Sequence, residues 1–532
     1  MSNSATQSRT LVTESDQMAA PVAAVASIAG TDVAVSGPDA TTGVRAGAGA
    51  EVEQSFGFDE LFVTTTDLNG HILLSNSVFD RMSGYRREEL LGRGHDIVRH
   101  PDMPRSIFSI FWERLQRGDR AVAYVKNRAR DGSFYWVMVV AGPVPGGYAS
   151  VHMRPSTSSF ITAQEIYPEL LALEHEVENG DVRRREDAIR ASSVRLGELL
   201  AQAGFPDYQA FMYTLLPAEV DAREQQLAGR SRAPGRPSSD QAGTLQYILD
   251  RCAGVEETLS SLASGLQPYG ELGARLSSKS KFMADLSDGI RLFSLNAMLA
   301  ASRLREGAAI GAVANILGRR SDEAGPVIAS LSAELQQTEA LMRQMNFRIA
   351  AGKLQVEMVE DFLAQIADEP DRLSQVGGQL AALGGALADS VGRLSNSQSV
   401  LDRHLDTFGE ACVVLVRHLR VLQALVVNGR IEASHLSGAD DVVQLFAEIG
   451  QRVEAATAEM RDFAEAMRRR PARQNAQEQA AQAEMSGLQA AISALADDSA
   501  APGEGDADAR GRQVFAQSGH APRRTISCAS TS

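Results

Sequence analysis

The stretch VTTTDLNGHILL, residues 63–74, decides the fold of the first structured part of this 532-residue chain. Two short runs of β-branched and aliphatic residues flank Asn69-Gly70. The Asn-Gly pair readily adopts the positive φ angles of a type I′ turn. The stretch therefore predicts a β-hairpin.

Three more strands are predicted before residue 155, and the first two of them flank Asp131-Gly132, a second hairpin signal. These strands are Val122–Arg128, Phe134–Val140 and Tyr148–Met153. Short helical segments and a longer one, Pro104–Arg117, lie between the hairpins. We therefore expect a compact α+β domain over 56–157, with one antiparallel five-stranded sheet and short helices.

The rest of the chain predicts helices. Residues 158–240 are expected to be a helical linker region that ends in a segment rich in Pro, Gly and Ser. Over 241–468, apolar residues recur at three- and four-residue intervals, so each helix has an apolar stripe that other helices must bury. We expect an all-α antiparallel helical bundle or coiled coil there. Residues 1–55 and 469–532 are low in complexity and are predicted to be disordered.

The bundle region contains an internal repeat. The segments NAMLAAS at 296–302 and NGRIEAS at 428–434 share the pattern Asn-x-x-(Leu/Ile)-x-Ala-Ser, and the second begins 428 − 296 = 132 positions after the first. Each copy is followed by a glycine-containing break and another apolar helix. We therefore expect two helical hairpins, with tips near 296–311 and 428–441.

Composition excludes several classes of protein. The chain has 52 Lys and Arg against 67 Asp and Glu, a formal net charge of −15, which argues against a general nucleic-acid binder. Its three cysteines are far apart, which predicts neither a disulfide framework nor a metal site and favours a cytoplasmic location. No stretch approaches the roughly 20 consecutive apolar residues of a transmembrane helix, so no membrane span is predicted.

The densest polar motif of the first domain is VRHPDMP at 98–104. Asp102, two positions before Pro104, is typical of a helix N-cap, with the proline in the first turn. On this interpretation the motif is a capped loop that leads into the following helix. A lone histidine such as His100 is more often a hydrogen-bonded loop residue than a ligand.

The stretch from 61 to 154 closely resembles the PAS domain of bacterial aerotaxis receptors. The matching blocks are TTDLNGHILLSN, MSGY, IVRHPDMP, VKNR, DGSFYWV and VHMRP, in this order from 65 to 155. That family binds FAD non-covalently and senses its redox state. The resemblance implies flavin contacts at Asn76, Arg99, His100, Asp102 and Asn127. Amides can exchange donor and acceptor roles with a flavin ring, and an arginine can pair with a phosphate or an anionic ring.

The chain departs from this family at one position. The family usually has a tryptophan in a Gly-x-x-Trp context before VKNR, whereas this chain has Ala121, preceded by Arg120. Trp112 matches another family tryptophan and is expected in the core. FAD is expected rather than heme, and another ligand or an empty domain stays open. A heme would need one of the histidines His71, His95, His100 and His152.

Residues 285–325 resemble the signalling hairpin tip of methyl-accepting chemotaxis proteins, which docks a histidine kinase and its coupling adaptor. The match runs through LFSLNAMLAASR at 292–303, with Ala300 in place of the family's glutamate. The second copy has His435 where the family has an arginine. The resemblance implies a partner-binding tip formed by Leu295, Asn296, Leu299, Arg303, Asn428, Ile431 and Glu432.

These resemblances predict a non-enzymatic, cytoplasmic signal transducer of the aerotaxis and chemotaxis receptor type. It would sense redox or oxygen status through a bound cofactor and relay it through the bundle to a chemotaxis-type kinase complex or another partner. The competing hypothesis is a scaffold whose empty PAS domain serves dimerisation or partner binding. A PAS-linked histidine kinase is disfavoured, because no ATP-binding domain with glycine-rich loops follows the helical histidines.

Paired long helices also predict a homodimer, because one chain's bundle in this family packs against its copy. The internal repeat leaves a second arrangement open. In it the two hairpins pack within one chain, and the monomer resembles the family's dimer.

Overall fold

The computed structural model of the chain describes residues 52–228, 242–303, 307–368, 373–468 and 483–495. They form a domain built on one β-sheet, followed by a bundle of long helices. This is the α+β domain and the all-α antiparallel bundle that the sequence predicts. The arm at 1–51, the linker at 229–241 and most of the predicted tail lie outside the described residues.

Five antiparallel strands form one sheet, as predicted, and their order is β2-β1-β5-β4-β3. The strands are β1 Phe62–Asp67, β2 Ile72–Ser75, β3 Ala121–Arg128, β4 Phe134–Val144 and β5 Gly147–Met153. The backbone N–H of Gln54 donates to the carbonyl of Phe134 at the start of β4. Residues 52–55, which the sequence assigns to the disordered arm, therefore pair with the sheet.

The first hairpin is present, but its turn is not of type I′. Gly70 has a φ of 84°, whereas Asn69 does not have a positive φ. The N–H of Gly70 donates to the carbonyl of Asp67, and Asp67 Oδ1 accepts from the N–H groups of Asn69 and His71. An aspartate that binds the N–H groups of the turn favours a type I turn closed by a glycine, so the predicted turn type is wrong.

Short helices cover one face of the sheet, and three longer helices follow it. The short ones are α1 Ser77–Ser83, α2 Arg87–Leu90 and α3 Arg105–Gln116, with a 3₁₀ turn at His95–Val98. The longer ones are α4 Ser158–Glu178, α5 Arg185–Gln202 and α6 Tyr208–Leu227. Helix α5 packs against α3, and α6 packs between β3 and the bundle.

Helix α3 does not have the Asp102 N-cap that the sequence predicts. Its first N–H groups, those of Arg105 and Ser106, each donate to the carboxylate of Glu174 at 2.9 Å. Glu174 lies on α4 and is fully buried. A negative charge at a helix N-terminus is favourable. A carboxylate from a helix nearly 70 residues later in the chain therefore replaces the local cap.

The bundle has four long helices, and both hairpins lie in it. They are α7 Ala242–Ala301, α8 Ala308–Asp368, α9 Leu373–Ser434 and α10 Asp440–Arg468. Phe293 in α7 contacts Phe446 in α10, with ring centroids 4.9 Å apart. The two tips therefore lie side by side at one end, and the hairpins pack within one chain. In the described part of the chain, no helix is long and apolar enough to span a bilayer.

A further helix, 483–495, packs on the bundle beside α7 and α9. Arg251 Nη1 in α7 donates to the carboxylate of Glu484 at 2.8 Å. Four apolar side chains of this helix are buried. They are Met485, Leu488, Ile492 and Leu495. This segment therefore differs from the disordered tail predicted over 469–532, because its apolar residues at helical spacing find a surface to cover.

A buried ion pair joins the sheet domain to the bundle. The guanidinium of Arg223 in α6 donates to both carboxylate oxygens of Glu357 in α8, at 2.7 and 2.8 Å. Its Nε donates to the carbonyl of Phe58, just ahead of β1. Arg223 is only 1% exposed. One side chain therefore holds the edge of the sheet domain, α6 and the bundle together.

We expect Glu357→Gln to destabilise the sheet domain by about 3 kcal/mol, because it leaves a buried guanidinium without its counter-charge. Both tryptophans, Trp112 and Trp136, lie in that domain, so the urea midpoint of tryptophan fluorescence reports the loss. Asp181→Asn is the control, because its partner Arg183 is almost fully exposed and such pairs contribute under about 1 kcal/mol. Equal midpoints for the two variants would contradict the role given to this ion pair.

Candidate functional site

A cavity of about 710 Å³ lies between the sheet and helix α3. The sheet contributes side chains from β1, β3, β4 and β5, and α3 contributes an aromatic wall. The lining residues of the sheet are Thr66, Val125, Asn127, Val139, Ala141, Tyr148, Ser150 and His152, and those of α3 include Phe108, Phe111, Trp112 and Leu115. Small-molecule sites in proteins have similar volumes and a similar, mostly apolar lining.

Two buried polar atoms of the cavity wall have no hydrogen-bond partner among the described residues. They are Nδ1 of His152 and Nδ2 of Asn127, although the Asn127 amide lies close enough to the Tyr135 hydroxyl to influence its pKa. Both residues are at most 3% exposed. Buried polar groups are almost always hydrogen-bonded, because an unpaired one costs about 1–3 kcal/mol. These two atoms can therefore form a hydrogen bond with a polar ligand or a water molecule in the cavity.

A chain of hydrogen bonds connects two histidines in the cavity wall. His95 Nε2 lies 3.3 Å from Thr64 Oγ1, which lies 2.7 Å from Ser150 Oγ, which in turn lies 3.2 Å from His152 Nε2. Burial lowers the pKa of His95 to about 4. Burial and the neighbouring His95 also lower the pKa of His152. Both rings are therefore neutral at pH 7.

Three arginines line one side of the cavity, and one of them comes from outside the sheet domain. They are Arg99, Arg105 and Arg185. Burial, and next the charge of Arg105, lower the pKa of the Arg99 guanidinium. Arg105 Nη1 donates to Glu178 at 2.7 Å. Arg185 is the first residue of α5, so the helices after the sheet domain close part of the site.

The structure brings two of the five predicted flavin contacts to the cavity. Arg99 and Asn127 line it, and their backbones pair with each other. Arg99 also donates to the carbonyl of Met103 and lies over the ring of Phe108, at 4.4 Å from its centroid. The other three residues have partners elsewhere in the fold.

Asn76 is the N-cap of α1. Its Oδ1 accepts from the N–H groups of Phe79 and Val63. Its Nδ2 donates to the carbonyl of Leu61 and to Asp361 of the bundle. Because the whole amide is engaged by protein groups, Asn76 holds β1, α1 and α8 together.

His100 and Asp102 pack on the hairpin of β3 and β4, outside the cavity. His100 Nδ1 accepts from the N–H of Asp102 at 3.1 Å, and its ring packs edge-on against Phe134. The Asp102 carboxylate accepts from Lys126 Nζ at 2.7 Å, and this bond is the main factor that lowers its pKa. Their hydrogen bonds fix the loop that carries Arg99.

Ala121, at the position of the missing tryptophan, belongs to a buried cluster against which Trp112 packs. Ala121 is fully buried, and Trp112 lines the cavity, where its indole packs edge-on against Tyr148 at 5.7 Å. A Cβ at Gly70 would lie 2.9 Å from the indole, so glycine makes room for it. Trp112 is expected in the core from sequence and instead forms part of the cavity wall. Arg120 points away from the cavity and donates to Gln355 of α8 at 2.6 Å.

The wall residues that are missing from the predicted flavin contacts include Tyr148, Ser150, His95 and His152. Ser150 and Tyr148 carry no motif of their own, and His95 and His152 enter only as heme alternatives. Alternation along β5 could have found three of them, because residues 148, 150 and 152 must share one face of a strand. Among the described residues, no cluster of three or more His, Cys, Asp or Glu side chains is placed to hold a metal ion.

A family model described as PAS fold matches residues 72–150, which contain β2, β3, β4, the first part of β5 and the short helices α1 to α3. These residues form a PAS domain. The chain is 36% identical over 119 residues to the aerotaxis receptor of Escherichia coli, a match that covers 21% of this chain and 24% of the receptor. It is 34% identical over 82 residues to the biofilm dispersion protein of Pseudomonas aeruginosa, covering 15% and 20%.

Among solved structures, the PAS domain of a protein from Colwellia psychrerythraea is similar, at 19% identity and a TM-score of 0.17, covering 18% of this chain and 86% of that one. The chain spans about a quarter or less of the length of the aerotaxis receptor and of the biofilm dispersion protein. Both relatives are named for roles in bacterial behaviour, one as an aerotaxis receptor. The comparisons therefore show a PAS fold within this chain.

The seven residues predicted for the signalling tip are all exposed at the end of the bundle. They are Leu295, Asn296, Leu299, Arg303, Asn428, Ile431 and Glu432. Leu295 and Leu299 are 52% and 55% exposed, and Ile431 is 49% exposed. Apolar side chains this exposed on neighbouring turns form a patch of the kind that binds partners.

We expect the PAS domain to lose stability as the pH falls from 6.5 towards 4. In this window the unfolded chain protonates His95 while the folded chain does not, so unfolding takes up a proton and is favoured by acid. The loss due to this residue is up to about 3 kcal/mol. Urea unfolding of His95→Gln, measured between pH 4 and 6.5, should give a free energy of unfolding that changes less steeply with pH than that of the wild type.

The exposed residue His435 supplies the control for this experiment. His435→Gln should keep the wild-type slope, because this side chain meets water in the folded and the unfolded chain. A His95→Gln slope equal to that of wild type would contradict the assignment.

Proposed function

We propose that this chain is a cytoplasmic signal transducer whose PAS domain binds FAD, senses redox or oxygen status, and passes the state of the cofactor through the helical bundle to a chemotaxis-type kinase and its adaptor. The observation that carries the proposal is the cavity with the unpaired Asn127 Nδ2 and His152 Nδ1.

The cavity fits a flavin in its chemistry. Trp112 and Tyr148 offer aromatic faces and edges beside the sheet. The amide of Asn127 and the neutral ring of His152 can each bind a heteroatom of the ring. Arg99, with its planar guanidinium, suits a phosphate. Bound FAD would supply a redox change that alters the protons and charge of its ring.

A change at Asn127 has a short route to the bundle, along one strand and across one hydrogen bond. Asn127 lies near the end of β3, and Arg120 immediately precedes the same strand and binds Gln355 in α8. Burial lowers the pKa of Arg120 to about 10 and makes it sensitive to nearby charge. On the other edge of the sheet, Asn76 binds Asp361 of the same helix. A shift of β3 would therefore change the contacts along one side of α8.

The first test is the visible spectrum of the full chain purified from cells supplied with riboflavin. We expect flavin bands that correspond to about one FAD per chain. Asn127→Ala should lower the affinity for FAD at least about tenfold, since a buried hydrogen bond to a ligand contributes over 1 kcal/mol. Arg117→Ala is the matched control, because Arg117 follows α3 directly, is 67% exposed and does not line the cavity.

The spectrum also distinguishes the alternatives. Heme bands would favour the neutral imidazoles of His95 and His152 as iron ligands, since both lie in the cavity wall. A folded protein that has no visible bands and takes up no added FAD would refute the flavin proposal. It would favour the scaffold hypothesis, in which the empty PAS domain serves contacts between proteins.

Kinase coupling is tested at the tip. We expect the full chain to bind a purified chemotaxis histidine kinase together with its adaptor, and Leu299→Lys to weaken this binding at least about tenfold, because it places a charge in an apolar contact. Val194→Lys is the control, since Val194 is 58% exposed on α5, far from the tip. Binding that is unchanged in Leu299→Lys would contradict docking at this tip.

A further inference from the structure

The two hairpins of the bundle are equivalent in structure and not only in their tip motifs. Gly318 in α8 faces Ser294 in α7, and its counterpart 132 positions later, Gly450 in α10, faces Val426 in α9. A Cβ at Gly318 would lie 2.6 Å from Ser294, and one at Gly450 would lie 3.2 Å from Val426. The same close approach is therefore repeated at the same height in both hairpins.

The buried positions repeat with the same offset. The pairs that share it are Ile310 and Val442, Leu317 and Ile449, Ala324 and Ala456, Ile290 and Leu422, and Leu262 and Leu394. Contacts between the hairpins repeat too, since α7 packs on α10 near their tips and α8 packs on α9. The bundle therefore has an approximate two-fold axis along its length, and α7 and α9 run in the same direction on opposite corners.

An exposed stripe runs along the outer side of α7 towards the first tip. Its residues recur at intervals of three and four, and all are exposed. They are Asp285, Asp288, Leu292, Leu295 and Leu299. The three leucines are 61%, 52% and 55% exposed. We call this set the acidic stripe. Residues at this spacing lie on one face of a helix, so the leucines form a continuous apolar surface.

The equivalent stripe on α9 has the opposite charge. Adding 132 to each position of the acidic stripe gives exposed residues again. They are Arg417, Arg420, Ala424, Val427 and Ile431. Val427 and Ile431 are 41% and 49% exposed. We call this set the basic stripe. Two aspartates in one hairpin are thus replaced by two arginines at the same heights in the other, and apolar residues continue both stripes to the tips.

The basic stripe also borders a groove. Arg417, Arg420 and Ala424, with Val421, Asn428 and Arg461, line a depression of about 580 Å³ between α9 and α10. The whole chain has a formal charge of −15, so a groove with three arginines stands out against its surface. Such a groove attracts a helix that presents carboxylates and leucines on one face.

We propose that the occupant of this groove is the acidic stripe of a second copy of this chain. Because α7 and α9 run in the same direction, two copies placed side by side with their tips level bring Asp285 opposite Arg417 and Asp288 opposite Arg420. The same register brings Leu295 opposite Val427 and Leu299 opposite Ile431. Charge and apolar surface are therefore matched along the whole contact.

Such a contact joins two different surfaces, so it is heterologous. A pair of copies uses one acidic and one basic stripe and leaves one of each uncovered. Further copies can add in the same way and close a ring if the rotation between neighbours allows it. In a pair or an open assembly, the stripes at its two ends stay uncovered and keep tip surface available to a partner. The proposal does not depend on a bound flavin.

The test uses charge reversal in the full chain and measures mass by sedimentation velocity at low salt. We expect the wild type to associate. We use two double variants, and each carries two stripes of the same sign. The first combines Asp285→Arg with Asp288→Arg, and the second combines Arg417→Asp with Arg420→Asp. Each should sediment as a monomer. An equimolar mixture of the two variants should associate again, because the acidic stripe of one then meets the basic stripe of the other.

Arg183→Asp with Arg190→Asp is the matched control, since these arginines are 94% and 73% exposed near α5 and lie on neither stripe. It should associate as the wild type does. A monomeric wild type, or double variants that keep the wild-type mass, would overturn the proposal. So would a mixture that stays monomeric while circular dichroism shows both variants folded.

Discussion

The buried ion pair between Arg223 and Glu357 is the contact on which the arrangement of the molecule depends. A guanidinium placed in a protein interior must be neutralised, and this one is satisfied from two sides, by a carboxylate of α8 and by a carbonyl ahead of β1. One turn earlier on α6, the buried carboxylate of Glu219 accepts hydrogen bonds from Tyr124 of β3 and from the backbone of Ser156 and Thr157. Helix α6 therefore fixes the sheet and the bundle to each other through charges that tolerate little displacement.

Much of the fold could be predicted from the sequence, because its signals are local. Alternating β-branched runs around Asn69-Gly70 and Asp131-Gly132 indicate two hairpins, and apolar residues at helical spacing indicate the bundle. The predictions that were wrong concern contacts between residues distant in sequence. The cap of α3 comes from Glu174 on another helix, and Asp102 instead pairs with Lys126. No local pattern contains such partners.

In the candidate site, too, the sequence indicates some residues correctly and misses those that depend on the fold. Motifs indicate Arg99 and Asn127, which do line the cavity, but the same motifs indicate Asn76, which caps a helix. A motif records which residue types occur together, but it does not separate those that face a ligand from those that hold the loop in place. The burial that keeps His95 and His152 neutral is known only from the folded chain, where Ser150 and His152 of β5 line the same cavity.

The repeated hairpins have a consequence for how this bundle can change. In a bundle made of two identical chains, any substitution appears twice, once on each side of the axis. Here the two sides are encoded separately, so each can diverge alone. Asp288 and Arg420 occupy equivalent positions with opposite charge, and at the tips the uncharged Ala300 is equivalent to the charged Glu432. Because the two halves are joined in one polypeptide, the bundle can present two different surfaces on its opposite sides. A symmetric bundle of two identical subunits presents the same surface on both sides.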